Sequence, residues 1–402
     1  MKNQHYLSWI LRRFRSIGIA MLLLLSILIV LFFLEDTTLV HSYNKRISLL
    51  FQEVNHSSTI PKPRNYTSFN VPIITKSRPI TVPRLNKTSQ QLGKHRPQSM
   101  TNFNYPLDID LLYFVKRNIE NGTAINIKPI NPHLFRYLHK PAKCSFSEPG
   151  DAVKLLVLVK SAVLNIELRE GIRNTWGKDM PSNVRIVFLL GNTDNKNQKR
   201  IREEGEKYSD VIQEDFLDKY QNNTYKTIMG FNWGVTFCSS ASFFFFVDDD
   251  HYAFLANVYK YLESVHYTKP NLLSGYLLPH SKPYRDVKSK WFVSWEDYGF
   301  DWWPPYLAGG AYIVSFSIAQ KFHIAFPYVK YIGIDDSYLG IVAKRLGIRP
   351  THNRYFANRA TFPTTDKIRR LNMFASHGFK NPKKMKKVWD MLHVNDTTTE
   401  AH

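Results

Sequence analysis

Long apolar runs and helically spaced apolar residues take turns along the second half of this chain. Residues 154–164 (KLLVLVKSAVL) are almost continuously apolar, which predicts a strand buried on both faces. Residues 183–191 (NVRIVFLLG) predict a second strand, and 210–216 a short third. The run Phe243-Phe244-Phe245-Phe246-Val247 predicts a fourth, which ends on three consecutive carboxylates, Asp248, Asp249 and Asp250. Before it, Ile228, Phe231, Val235 and Cys238 recur at intervals of 3, 4 and 3, so 224–238 is predicted to be helical. Residues 169–176 and 254–265 read as further helices. Strands and helices in alternation predict an α/β sandwich around a mostly parallel sheet.

The first third has a different texture. Residues 16–34 are 19 uncharged, largely aliphatic positions, enough to span a bilayer. Lys2, Arg12, Arg13 and Arg15 precede them, and Glu35 and Asp36 come directly after. The positive-inside rule then predicts a cytoplasmic tail over 1–15, a signal-anchor over 16–34 and a lumenal remainder. The run ends Phe32-Phe33-Leu34-Glu35 without a small-residue cleavage site, which favours an uncleaved type II anchor over a signal peptide. Prolines scattered among Ser, Thr, Asn and Lys predict a largely disordered stem over 35–142, of which 105–138 is the part suited to packing on the folded domain after it. A lumenal catalytic domain is expected over 143–395. Asn-x-Ser/Thr triplets at Asn55, Asn65, Asn86, Asn121, Asn222 and Asn395 all fall on the predicted lumenal side.

Composition narrows the function. The 54 Lys+Arg against 33 Asp+Glu favour anionic partners. Much of that excess lies in the stem, and a lumenal domain would not meet nucleic acid, so nucleic-acid binding is excluded. Two cysteines, Cys144 and Cys238, allow at most one internal disulfide and exclude a cysteine-rich zinc scaffold. A plain buried thiol and a bridge are equally compatible with the position of Cys238. Neither a Gly-x-Gly-x-x-Gly nor a Walker-type loop is present.

Chemistry concentrates in three places. Three adjacent carboxylates at a strand end repel one another, and a divalent cation would neutralise them where open α/β sheets bind ligands. Asp248 and Asp250, at i and i+2, project to one side. His251 is either a nitrogen ligand or, more commonly for such a position, solvent-facing. Asp335 and Asp336 begin a second helical pattern (IDDSYLGIVAKRL); one suits a helix-start role and the other a general base. Between them, 290–315 carries Trp291, Trp295, Trp302, Trp303 and Tyr306, which suit stacking on a sugar ring, with half expected in the core. Gly309 and Gly310 permit close backbone approach.

In this order the motifs resemble the β-1,3-glycosyltransferase family of galactosyl- and N-acetylglucosaminyltransferases, glycosyltransferase family 31. The resemblance covers about residues 153–392. REGIRNTWG (169–177) is similar to that family's Arg-x-x-x-Arg-x-Thr-Trp-Gly signature, and EDFLDKYQNNTYKTIMGFNWGVTFC (214–238) to its acidic loop and Lys-Thr helix. KWFVSWEDYGFDWWPPY and DDSYLGIVAKRLGI look most like the brainiac-type branch, associated with glycolipid acceptors.

The resemblance implies a GT-A fold, Golgi residence, and inverting transfer from a UDP-sugar, UDP-Gal or UDP-GlcNAc, to an acceptor glycan on lipid or protein. It implies Mn²⁺ (or Mg²⁺) on Asp250, Asp248 and His377, with Asp336 as base. Arg169, Arg173, Lys226, Asp248 and Asp249 would bind the nucleotide-sugar. Trp291, Trp302, Trp303, Tyr306, Gly309, Gly310 and Asp335 would contact the sugar or acceptor. The chain departs from many relatives at Asp335, where Glu is common, and at Ser337, His251 and Leu307, the last in place of a Cys. A metal-dependent phosphohydrolase and a membrane-anchored lectin are the rival readings. The first lacks further ligands spread over the strand ends, and the second leaves Asp336 and the triplet unused.

Overall fold

The computed structural model describes residues 105–146, 152–178, 180–359 and 372–393, with Met100 and Phe103. The expected tail, the anchor at 16–34, most of the stem and the sequons at Asn55, Asn65, Asn86 and Asn395 lie outside them. Among the described residues no helix is long and apolar enough to cross a membrane.

Helix α1 (Leu111–Asn121) and strand β1 (Tyr137–His139) come first. Strands and helices then alternate: β2 (Leu155–Lys160), α2 (Ile166–Arg173), β3 (Val184–Asn192), α3 (Asn195–Tyr208), β4 (Val211–Leu217), α4 (Asn223–Phe237) and β5 (Phe243–Asp248). Next come β6 (His251–Ala253), α5 (Leu255–Val265), β7 (Leu273–Leu278), β8 (Tyr306–Ser315), α6 (Phe316–Ala325) and α7 (Asp335–Arg345). Short strands β9 (Thr351–His352), β10 (Phe356–Ala357) and β11 (Ala375–His377) lead to α8 (Pro382–His393).

The main sheet has the order β1-β4-β3-β2-β5-β8-β7-β9, and a small sheet the order β10-β11-β6. Strands β4, β3, β2 and β5 are parallel neighbours, as the helical crossovers between them require. The other half corrects the expectation of a mostly parallel sheet: β8 runs antiparallel to both β5 and β7. The connection from β7 to β8 crosses no face of the sheet, so β8 folds back beside its sequence neighbour and the sheet is mixed.

The four phenylalanines of β5 explain why this strand is central. Phe244 and Phe246 enter a core with α4, α6 and α7, whereas Phe243, Phe245 and Val247 enter a second core with α2, α5 and α8. Pleat alternation thus sends one residue set to each face, and an all-apolar strand is what two covered faces demand. On α4, Gly230 and Gly234 face Phe246 and Phe244 so closely that a Cβ would come within 2.9 and 2.6 Å of the rings. Glycine here lets the helix sit directly on large side chains.

Part of the segment before residue 143 packs on the folded unit. Strand β1 pairs with β4, Leu111 and Val115 of α1 are buried, and the Arg345 guanidinium donates to the carbonyls of Phe103, Leu107 and Ile109. Cys144 and Cys238 form a disulfide across 94 residues, which fastens this leading segment to the end of α4.

Candidate active site

The site forms at the carboxyl ends of β2 and β5, where the parallel register places Lys160 directly beside Asp248. Both side chains point to the α7 face. Lys160 is only 6% exposed. Its ammonium donates to Asp335 Oδ2 at 2.7 Å and to the Gly309 carbonyl at 2.9 Å, and lies 3.1 Å from Asp248 Oδ1. Burial would lower the Lys160 pKa, but the two carboxylates more than reverse that and hold it well above the usual lysine range. This residue is the one that reading the sequence passed over. The signal was present: a lysine closing a strand whose other residues are all apolar has to be paired.

Lys160 divides the acids into two groups. On one side, ligand atoms of Asp248, Asp250 and His251 lie within 4.8 Å of one another. His251 is buried, not solvent-facing; its Nδ1 sits 3.0 Å from Asp250 Oδ1. The small sheet brings in the fourth candidate, because β11 pairs His377 opposite His251 and leaves His377 Nε2 3.1 Å from Asp250 Oδ2. Gly378, with φ of 99°, turns the chain so that its N–H and that of Phe379 donate to the Asp250 carbonyl. Burial opposes ionisation of Asp250, yet the two imidazoles keep its pKa below the ordinary value. Asp248 is shifted the other way, raised by burial against the pull of Lys160.

Two carboxylates and imidazole nitrogens on converging strands suit a divalent cation with mixed oxygen and nitrogen preference, such as Mn²⁺, better than strictly oxygen-seeking Mg²⁺. Gly310 supports this group: a Cβ there would lie 2.7 Å from the His251 ring.

On the other side, Asp335 and Asp336 open α7. Asp335 is nearly buried, paired with Lys160 and accepting from Thr227 Oγ1 at 2.9 Å. Burial would raise its pKa; Lys160 and these hydrogen bonds lower it. Asp335 is thus held in place by Lys160 and Thr227. Asp336 accepts from the Ser337 N–H and, among the described residues, forms no ion pair of its own. Burial, and then the charge of Asp335, push its pKa up to about 7. Gly309 lies between the pairs, where a Cβ would meet Asp336 Cβ at 3.2 Å.

The expected nucleotide-binding cations are placed differently. Arg169 is wholly buried, bound to Glu204 by two hydrogen bonds and to Ser161 Oγ and the Ala162 carbonyl. Arg173 pairs with Glu204 and with Asp210, which lies at the amino end of β4, the wrong end of the sheet for the site. Both are scaffold ion pairs. Lys226 is at the correct end but is committed to Asp218 and the Ser161 carbonyl, tying the loops after β4 and β2 together. Asp249 is buried and accepts from Ser161 Oγ and Asn165 Nδ2, so it faces inward. Arg169, Ser161 and Asp249 form one chain behind the acids.

The aromatics divide as composition suggested. Trp303 is stacked on Tyr298 in the core, and Tyr306 is buried with its hydroxyl on Ser281, so neither offers a free sugar platform. Trp295 lies under the Arg285 guanidinium. Trp291 and Trp302 are exposed, and Trp291 Nε1 donates to the hydroxyl of Tyr220. Asn121 is an exposed sequon at the end of α1. At Asn222 the amide donates to the Leu217 carbonyl, and the Thr224 hydroxyl is buried on the Ile332 carbonyl.

Comparison with known proteins agrees with this geometry. A family model described as Galactosyltransferase matches residues 167–354, which contain all the acids named here. The Drosophila melanogaster β-1,3-galactosyltransferase brn is 36% identical over 64% of this chain and 79% of its own length. The Homo sapiens β-1,3-galactosyltransferase 1 is 30% identical over 72% of this chain and 87% of its own. A Mus musculus lactosylceramide 1,3-N-acetyl-β-D-glucosaminyltransferase is 31% identical over 65% and 71%. With relatives at 30–36% identity covered over most of their length, this chain belongs to the β-1,3-galactosyltransferase family of glycosyltransferases.

Proposed function

We propose that this chain is an inverting, metal-dependent β-1,3-glycosyltransferase that moves Gal or GlcNAc from a UDP-sugar to an acceptor glycan carried by lipid or protein. The carrying observation is Asp336, a carboxylate that forms no ion pair among the described residues and whose pKa is pushed up to about 7, together with a separate group of side chains able to hold a metal ion. That is the pairing of a proton acceptor with a diphosphate site.

In this reading Asp336 accepts the proton of the acceptor hydroxyl. The hydroxyl oxygen attacks the anomeric carbon from the face opposite the nucleotide, and the bond from that carbon to the UDP oxygen breaks, inverting the centre. Asp248, Asp250, His251 and His377 would hold Mn²⁺, which when bound offsets charge on the departing diphosphate. Trp291 and Trp302 are the exposed aromatics for acceptor stacking. The basic-flanked apolar run at 16–34 supports a single-pass type II membrane protein with this domain lumenal and no nucleic-acid partner, and membership of the family supports the Golgi as its membrane.

The test is a donor screen on the full chain with UDP-Gal and UDP-GlcNAc, with and without Mn²⁺, reading UDP release and product linkage. Acceptor-dependent UDP release that chelation abolishes is expected; phosphate release without acceptor would support a hydrolase instead. A second prediction concerns Gly310. Gly310→Ala drives a methyl into the His251 ring and is expected to weaken Mn²⁺ binding by about 10-fold, the usual cost of disturbing a ligand's support. Titration calorimetry with Mn²⁺ checks it, and an unchanged affinity would remove His251 from the ligand set.

A further inference from the structure

Trp291 is exposed on a loop, yet its ring is held. Its Nε1 donates to the Tyr220 hydroxyl at 2.7 Å, and the Tyr284 ring lies 5.3 Å away. The Lys290 ammonium sits 4.4 Å from the Trp291 ring and 5.0 Å from that of Tyr220. Arg285 braces the loop from within, donating to the carbonyls of Val293, Ser294, Tyr298 and Phe300. Water would satisfy an exposed indole N–H equally well, so the bond to Tyr220 matters for where the ring is held rather than for stability.

Tyr220 in turn is fixed to the segment that carries Asp336. It begins a helical turn, Tyr220–Asn222, between β4 and α4. The carbonyl of the next residue, Gln221, accepts from the Tyr331 hydroxyl. Gly333 packs on the same carbonyl: a Cβ there would lie 2.9 Å from its oxygen. Thr224 Oγ1 donates to the Ile332 carbonyl at 2.6 Å, and the Tyr225 ring stacks on Tyr331 with centroids 4.2 Å apart. Residues 331–333 lead directly to Asp335 and Asp336 at the start of α7. Burial raises the Tyr220 pKa against the pull of its Trp291 hydrogen bond, and the charges of Asp335 and Asp336 raise it further, as closeness to the acid pair requires.

We propose that Tyr220 is a positioning residue for the acceptor: its hydroxyl registers the Trp291 ring against the Asp336 carboxylate. This role rests on the proposed function, in which Trp291 stacks on the acceptor sugar and Asp336 takes its proton. A pyranose laid on the indole presents its hydroxyls at the ring edge, so the place of the ring decides which hydroxyl comes within ~3 Å of the base. Without the Tyr220 hydroxyl the loop still closes on a bound sugar, but the cost of ordering Trp291 then falls on acceptor binding. That cost is shared by the ground and transition states, so it enters KM rather than kcat.

The test uses the full chain in detergent with Mn²⁺, the UDP-sugar it consumes, and benzyl β-glycosides of lactose, Gal, Glc, GlcNAc, GalNAc and Man as acceptor probes. Tyr220→Phe removes one oxygen from an exposed ring. It is expected to raise KM for the probe that wild type uses best by about fivefold, the scale of one lost hydrogen bond. The kcat at saturating acceptor and the affinity for UDP should stay within about twofold of wild type. In a Trp291→Phe background the same change should add nothing, because the indole N–H that the hydroxyl serves is gone. Transfer by wild type with an unchanged acceptor KM in Tyr220→Phe overturns this role alone. So does a matching loss of UDP affinity, which would make Tyr220 a donor residue, or an undiminished effect in the Trp291→Phe background. No transfer by wild type to any probe would refute the proposed function, and this role with it.

Discussion

Asp336→Asn is expected to lower kcat by about 10²–10⁴-fold while UDP and Mn²⁺ bind as before. Asparagine fits the space but cannot take a proton, and Asp336 touches none of the four candidate metal ligands. The same residue sets the pH dependence. Its pKa is pushed up to about 7, first by burial and then by Asp335. Below that pH the carboxyl is protonated and cannot accept the acceptor's proton; above it the carboxylate is free. Activity should therefore rise with pH through about 7 and then level off. Asp335→Asn removes the like charge while Lys160 remains, so the rising limb should move to lower pH. A profile measured on kcat with saturating donor and acceptor checks both. Near-normal turnover in Asp336→Asn would falsify the base assignment.

Some of this architecture was legible in the sequence because its physical cause is local. The strands β2, β3 and β5 are apolar because both faces of the sheet are covered, and such runs leave no polar alternation to misread. Helix α3 went unseen for the opposite reason. Its sequence NKNQKRIREEGEKY buries only Ile201, Glu204 and Gly205, so no apolar stripe marks it. The acids of both groups could be picked out because clustered carboxylates need an explanation. The arginines misled because their partners are remote: Glu204 lies 35 residues from Arg169, on that unseen helix. A charged side chain in a sequence reads as available for a ligand until its counter-ion is known. His251 was likewise placed towards solvent, because only the pairing of β6 with β11 encloses it.

Lys160→Met is expected to cost more than any single change outside the reaction itself. The ammonium satisfies two carboxylates and a carbonyl from a nearly buried position, and methionine fills the volume without the charge. Removing one member of such a group leaves the others buried and unpaired, a loss of about 3–5 kcal/mol at neutral pH. Most of it falls on Asp335, whose side chain is 13% exposed; Asp248, at 37%, is partly screened by water. The pH dependence separates this from a packing defect. In the native chain the Asp335 pKa is depressed, so its contribution is present at neutrality and lost only as pH falls through that low value. Without Lys160, burial raises the Asp335 pKa above its unfolded value, and protonation relieves the strain as pH falls from 7 towards 5. The deficit of Lys160→Met in denaturant unfolding should therefore narrow over that range, whereas a cavity or overpacking defect would not change with pH. Lys160→Arg should also lose activity despite keeping its charge, because the planar guanidinium is too broad for a site enclosed by Gly309, Asp248 and Asp335. A Lys160→Met protein with native stability at pH 7 would mean that the two acid groups are held apart by something other than this lysine.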